Sequence, residues 1–498
     1  MRRCKRITGE LFGTHISTSQ QLTGLHPSLI SLNLDDTSIS RSFIMRLEAH
    51  FPTLQNLSAL HTPAHREFFQ QDSSGRTRIL PSLLAAVQGQ TNGATIDLEN
   101  TDADGHSPLS LAVANGLTEA TRLLLRAGSD VNTRSISLAT PLYLASDNGW
   151  DVLVDLLLDA NARQDCPIVG GATALCAAAK NGHRSTVLRL LAAEKQAEDE
   201  LQTRGRVNKQ QLVQALFLAC EGGHLFVVSD LLLLTELDAN VLMDENVSPL
   251  YLACQMGHVA IASLLLARGA DPSFRRPQGG VSCLYIAAQE GHDHLVRLLV
   301  RAGADVHAKM DDLSTALHIA ARMGRKAVSR ALLRCGARLN DQTRSGLTSL
   351  YIASEEGHME LVRFLLDAGA QRDVQTSSGA TALFAAVHRG HIGVVKTLLV
   401  GGANSALPKN NGTTPLDAAA LLGDVKVARL LLRFGARVGG LALHFAERRR
   451  DGAGLQALLR SRYYAQHFLH SDISFHPRVS TVINSAAAAS EHETTSVR

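Results

Sequence analysis

At 498 residues the chain is too long for one compact core, so it holds either several domains or one elongated array of small units. Hydrophobic residues reach 45% while aromatics reach only 4%, so burial must come from many small Leu, Ala, Val and Ile contacts; 39 Gly against 13 Pro suit frequent turns and exclude a collagenous or Pro-rich chain. A formal charge of +3 is too near neutral to single out nucleic acid or an anionic membrane as partner.

The N-terminus, MRRCKRITGELFGTHIS, starts basic but has no apolar run behind it and does not read as a signal peptide. No window approaches the ~20 apolar residues of a membrane-spanning helix. The seven cysteines, Cys4, Cys166, Cys176, Cys220, Cys254, Cys283 and Cys335, are odd in number, scattered and free of any C-x-x-C pair. Reduced thiols, and hence cytoplasm or nucleus, are expected. In residues 1–75, Leu29, Leu32, Leu34 and Ile39 are echoed 25 residues later by Leu54, Leu57 and Leu60, which resembles two leucine-rich repeats; an irregular leader or cap is the other reading. LPSLLAAVQG at 80–89 marks residues 76–100 as a degenerate capping half-repeat.

From residue 101 a block T-P-L-x-x-A-x-x-x-G recurs ten times, opening at Ser107, Thr140, Thr173, Gln214, Ser248, Ser282, Thr315, Thr348, Thr381 and Thr414, at intervals of 33, 33, 41, 34, 34, 33, 33, 33 and 33. A Ser or Thr accepts the orphan amides of a first helical turn and Pro fits the first helical position, so each block is expected to start a helix. Ala five positions on lets helices approach closely, and Gly four later suits a left-handed stop. A second, Leu-rich helix follows, as in VDLLLDA at 154–160, and ends at Gly269, Gly303, Gly336, Gly369, Gly402 or Gly435. One such pair cannot cover its own apolar face, so stability must come from neighbouring copies.

These copies resemble ankyrin repeats across residues 101–440. The resemblance implies an all-α fold, an ankyrin-repeat α-solenoid of helix-turn-helix repeats joined by hairpin-like loops, and a non-enzymatic scaffold or adaptor holding other proteins along a concave groove. The 41-residue interval places an insertion near 193–211, AEKQAEDELQTRGRVNKQQ, read as a solvated helix extension and loop or as a partner-specific protrusion. Residues 441–470 read as a degenerate C-terminal cap whose Arg448, Arg449, Arg450, Arg460 and Arg462 form a basic patch, and 471–498 as a disordered tail.

Six histidines follow a block glycine: His183, His224, His258, His292, His358 and His391. Zinc ligands sit at ~2.0–2.1 Å, whereas equivalent residues in adjacent copies lie ~8–10 Å apart, so a structural role is expected and no metal site. Tyr143, Phe217, Tyr251, Tyr285, Tyr351 and Phe384 occupy the slot after the block Leu, where His318 is the seventh member; packing between copies is expected rather than base stacking. No phosphate loop, dinucleotide turn, nucleophile elbow or metalloprotease helix is present, so no catalytic residue and no cofactor is expected. The resemblance maps the groove onto positions two and three after each Ala, namely Asp147, Asn148, Gln255, Met256, Gln289, Glu290, Arg322, Met323, Glu355, Glu356, His388 and Arg389. Loop-tip candidates are Asp104, Ser137, Asp312, Arg344, Ser378 and Asn411. Alternative readings are a substrate-recognition subunit of a ubiquitin ligase, although LQALLRSRYYAQHFL lacks the Cys of an elongin-binding box, and a nucleic-acid-associated regulator resting on the Arg patch and aromatic series. Nucleic acid is the less expected partner.

Overall fold

The computed structural model describes residues 98, 101, 104–199, 209–243, 246–448 and 453–468, with two short strands further upstream. Those strands, β1 (Ser31–Asn33) and β2 (Asn56–Ser58), pair in parallel with Leu32 opposite Leu57. The 25-residue echo of the leader is thus the register of this ladder. The remainder of the leader, the half-repeat apart from Leu98, and the tail lie outside the described residues. Among the described residues every other regular element is an α-helix, so the fold class is all-α.

The chain divides into two compact units, one ending at Glu245 and one beginning at Asn246. In the first unit the helices pair as α1 (Pro108–Ala114) with α2 (Thr118–Arg126), α3 (Pro141–Asp147) with α4 (Asp151–Asp159), α5 (Ala174–Asn181) with α6 (Arg184–Asp199), and α7 (Lys209–Gly222) with α8 (Leu225–Leu234). The second unit continues with α9 (Pro249–Met256) and α10 (Val259–Ala267), α11 (Cys283–Glu290) and α12 (Asp293–Arg301), and α13 (Ala316–Arg322) and α14 (Lys326–Arg334). It is completed by α15 (Ser349–Glu355) and α16 (Met359–Asp367), α17 (Ala382–His388) and α18 (Ile392–Val400), α19 (Pro415–Leu422) and α20 (Val425–Arg433), and α21 (Gly440–Arg448) and α22 (Ala453–Phe468). Within each unit a first helix packs on its own second helix and on the first helix of the next copy.

Local chemistry places these helices. Ser107, Thr140, Ser248, Ser282, Thr348, Thr381 and Thr414 each accept the backbone N–H three residues on, which satisfies one orphan donor of the first turn. Copy four corrects the expectation that every block starts a helix. Gln214 cannot cap in this way, and α7 already begins at Lys209, five residues upstream. The insertion is absorbed at both ends, since α6 runs 16 residues to Asp199 through the helix-forming AEKQAED. Residues 200–208 between them lie outside the described set.

The core is the repeat read in depth. All ten block alanines, from Ala112 to Ala419, are fully buried, and so are the block leucines, from Leu109 to Leu416. Each buried Leu contributes about 1.5–3 kcal/mol by leaving water. An Ala in the contact lets the first helices of adjacent copies approach, so a larger side chain there would overpack them. Past the tenth copy, Ala442, Ala446, Leu455 and Leu459 continue this core into α21 and α22, where Arg460 pairs with Glu447 at 2.8 Å.

Candidate functional site

Two sets of bonds between copies position the predicted groove and loop-tip residues. The first runs from the G-H histidines His183, His224, His292, His358 and His391 back to the end of the preceding first helix. His183 Nε2 lies 3.1 Å from the Asp147 carbonyl oxygen, His292 Nε2 3.3 Å from that of Gln255, His358 Nε2 2.8 Å from that of Arg322, and His391 Nε2 2.9 Å from that of Glu355. Where copy seven has Arg325 instead, its Nε donates to the Gln289 carbonyl at 3.2 Å. In copy two the slot holds Trp150, whose ring covers Gly116. The histidines are therefore staples between copies. Their acceptors Asp147, Gln255, Arg322 and Glu355, like the Gln289 carbonyl bonded by Arg325, are the first residues of five of the six predicted groove pairs, and the bond fixes the backbone there while the side chains of Gln255 and Arg322 stay exposed.

The second set links loop tips. The N–H of Ile136 donates to the Asp104 carbonyl at 2.9 Å, Val169 N–H to Ser137 at 3.0 Å, Arg344 N–H to Asp312 at 2.8 Å and Asn410 N–H to Ser378 at 3.1 Å. Four predicted tip residues thus spend their carbonyls on the neighbouring tip and keep exposed side chains. Arg344 also reaches back to the Asp311 carbonyl at 2.7 Å, and Asn411 Oδ1 accepts from the Thr413 amide at 3.1 Å.

Side chains of the groove pairs differ in how they are held. Asp147 accepts from Asn181 Nδ2 at 2.9 Å, and Asn148 donates to the Leu144 carbonyl at 2.9 Å. Gln289 donates to Glu290 at 3.0 Å, and Arg389 reaches Glu355 in the preceding copy at 3.0 Å. His388 stacks on Phe384 with centroids 6.2 Å apart. Gln255 and Glu356 are exposed, as are Met256 and Met323, the last two at 43% and 44%.

In the second unit, tip and helix residues converge on a cavity of about 180 Å³ lined by Tyr285, Asp312, Ser314, His318, Arg322 and Ser345, among others. Two of these, Asp312 and Arg322, are predicted site residues. Burial pushes the Asp312 carboxyl up, but hydrogen bonds from the Ser314 hydroxyl at 2.5 Å and amide at 2.9 Å, with the charge of Arg322, hold it below the usual carboxylate range. Burial depresses the His318 pKa, and its ring is fully engaged. Its Nδ1 accepts from the Thr315 amide at 3.1 Å, and Nε2 donates toward the Asp341 and Leu347 carbonyls at 3.0 and 3.1 Å. At neutral pH the cavity therefore presents one carboxylate, one guanidinium and a neutral imidazole.

The aromatic slot packs between copies. Phe217, Tyr251 and Phe384 are buried, while Tyr143, Tyr285 and Tyr351 are half-buried, with burial raising their phenol pKa values. Sequence reasoning left out Lys180 and Asn181 of copy three and Leu421 and Leu422 of copy ten, which stand at the same offsets from the block Ala; the two leucines are 53% and 43% exposed. Counting two and three positions from Ala178 and Ala419 would have found all four. Among the described residues no group of three or more His, Cys, Asp or Glu could hold a metal ion, and no helix is long and apolar enough to cross a membrane.

A family model described as ankyrin repeats (three copies) matches residues 109–203, 200–276, 284–376 and 350–439, more than half of the chain. Among solved structures, the crystal structure of the human ASB11 ankyrin repeat domain is similar at 27% identity, covering 45% of this chain and 99% of that one with a TM-score of 0.41. No curated protein matches.

Proposed function

Since the chain belongs to the ankyrin-repeat family, whose members are generally non-enzymatic interaction modules, we propose that it is a scaffold or adaptor that captures a segment of a partner protein in the concave groove lined by first helices and loop tips. The cavity beside Tyr285, Asp312 and Arg322 carries this reading. At about 180 Å³ it is smaller than the ~300–1,000 Å³ of a small-molecule site, and it suits one compact polar side chain of a bound segment. Asp312 and Arg322 would orient an amide or hydroxyl there, while the exposed Met256 and Met323 would supply adaptable apolar contact elsewhere along the groove. Such capture fits the free thiols and a cytoplasmic or nuclear setting. A ubiquitin-ligase role would add a docking subunit to the same capture surface, and co-purification of cullin-complex subunits with the full chain is its test.

Replacing Arg322, Glu355 and Arg389 together by Ala tests the reading in pull-down or proximity labelling with the full chain. These side chains support no core contact, so melting should change little, while capture of the partner should fall about tenfold or more if they include a hot spot. Undiminished capture of every partner would refute the groove.

A further inference from the structure

The opposite side of the second unit carries a feature that groove binding leaves unused. The fifth position of the second helix is Arg297, Arg330, Arg363, Lys396 and Arg429 in copies six to ten, each 33 residues after the last. Their helices, α12, α14, α16, α18 and α20, are successive neighbours in the stack. Helices spaced ~8–10 Å apart put these five cations in a column on the order of 32–40 Å long. The same five helices hold ten Lys or Arg in all, against only Asp293, Glu360 and Asp367.

Two carboxylates are already engaged, Asp293 with Arg297 at 2.9 Å and Glu360 with Lys326 at 3.1 Å, while Arg330 lies over the Phe364 ring at 5.6 Å. Arg301, Arg334, Arg363, Lys396, Lys426 and Arg433 are exposed and make no ion pair among the described residues. A face kept only for solubility mixes its signs. Nor does the helix pair itself demand this charge, because copies one to five have Arg122, Asp155, Leu188, Ser229 and Ser263 at the column position. The second helices of the first unit carry eight carboxylates against five cations, the reverse balance.

We propose that the second-helix face of copies six to ten docks an extended acidic segment of a protein, independently of the groove. A polyproline II segment has three residues per turn and rises ~3.1 Å per residue, so a carboxylate at every third residue faces the column and meets one cation per copy, and about twelve residues span it. Duplex nucleic acid carries a charge per ~1.7 Å of axis, several times denser than one cation per copy, and fits this spacing less well.

The test uses the full chain and a fluorescein-labelled peptide of about twelve residues with Glu at every third position among Ser and Gly, read by anisotropy. Wild type should bind, with affinity falling severalfold between about 50 and about 200 mM salt. The triple variant Arg363→Glu, Lys396→Glu, Arg433→Glu should bind at least about tenfold more weakly, since attraction becomes repulsion at three points. If that variant melts differently from wild type, the Gln triple at the same positions replaces it, with a smaller loss in the same direction. A short DNA duplex and phosphatidylserine vesicles serve as competitors on wild type and should displace the peptide poorly. Equal binding by the variant, no peptide binding at low salt, or tighter binding of either competitor than of the peptide would overturn the proposal.

Discussion

Gly357 and Gly369 allow the contact between neighbouring copies to be weighed by itself. Both belong to copy eight, and both have positive φ, 84° and 91°, so Ala at either is strained by roughly 1–2 kcal/mol from backbone conformation alone. Their surroundings differ. A Cβ on Gly369 meets nothing within 4 Å, whereas one on Gly357 lies 2.8 Å from Cε1 and Nδ1 of His391. The ring can retreat only by giving up its 2.9 Å bond to the Glu355 carbonyl, a loss of about 0.5–1.5 kcal/mol. Gly357→Ala should therefore cost about 2–3 kcal/mol and Gly369→Ala about 1–2 kcal/mol. In a His391→Ala background the obstacle is gone, and the two glycine substitutions should cost the same, a coupling of about 1 kcal/mol between positions 357 and 391. Urea unfolding of the full chain by circular dichroism measures this, read at the transition that His391→Ala itself shifts, because a repeat array need not unfold in one step. Equal costs in the wild-type background, or an undiminished Gly357→Ala cost without His391, would refute the staple.

Leu313 sits at φ 65° where the corresponding loop position of other copies is Gly346, Gly379 or Gly412, and its side chain is 39% exposed; Leu313→Gly should stabilise by about 1 kcal/mol, and a lower unfolding midpoint would show that the side chain packs instead. His318 has its folded pKa pulled below the free value of 6.5 by burial, so its contribution is full above pH 6.5 and is lost as pH falls through the depressed folded value. The drop in urea midpoint from about pH 7 to about pH 5 should accordingly be smaller in His318→Gln than in wild type, and an equal drop would assign it to other groups. Burial pushes the Cys220 thiol up to about 12 from 9.0, so it favours the fold fully below pH 9 and loses that effect as pH rises toward 12. Under native conditions the half-buried Cys335 should alkylate well before the buried Cys220 and Cys254, as peptide mass spectrometry can read; equal rates would contradict the burial.

Much of the fold lies in the sequence because each copy is written in local chemistry. Caps such as Thr348, left-handed stops such as Gly357, and the buried Leu350 and Ala353 are fixed by spacing within a single helix pair. Local chemistry also explains the exception, since Gln214 has no hydroxyl to cap with and α7 therefore starts upstream. The same spacing sets the positions of the predicted groove pairs, which lie at a constant offset from a buried alanine.

What the tertiary structure decided are relations between atoms some 10 to 40 residues apart. His391 is one of several G-H histidines in the sequence, and only the stack shows its Nε2 on the Glu355 carbonyl and its ring over Gly357. Asp312 and Arg322 come from a loop tip and a helix, and only packing sets them around one cavity with Tyr285 from the preceding copy. The basic column can be counted in the sequence at 33-residue steps, but whether Arg363 and Lys396 lack a carboxylate depends on which side chains the neighbouring helices present. Sequence periodicity determines which residues face the same way. Which of them touch, and which charges go unanswered, follows from how one copy sits on the next.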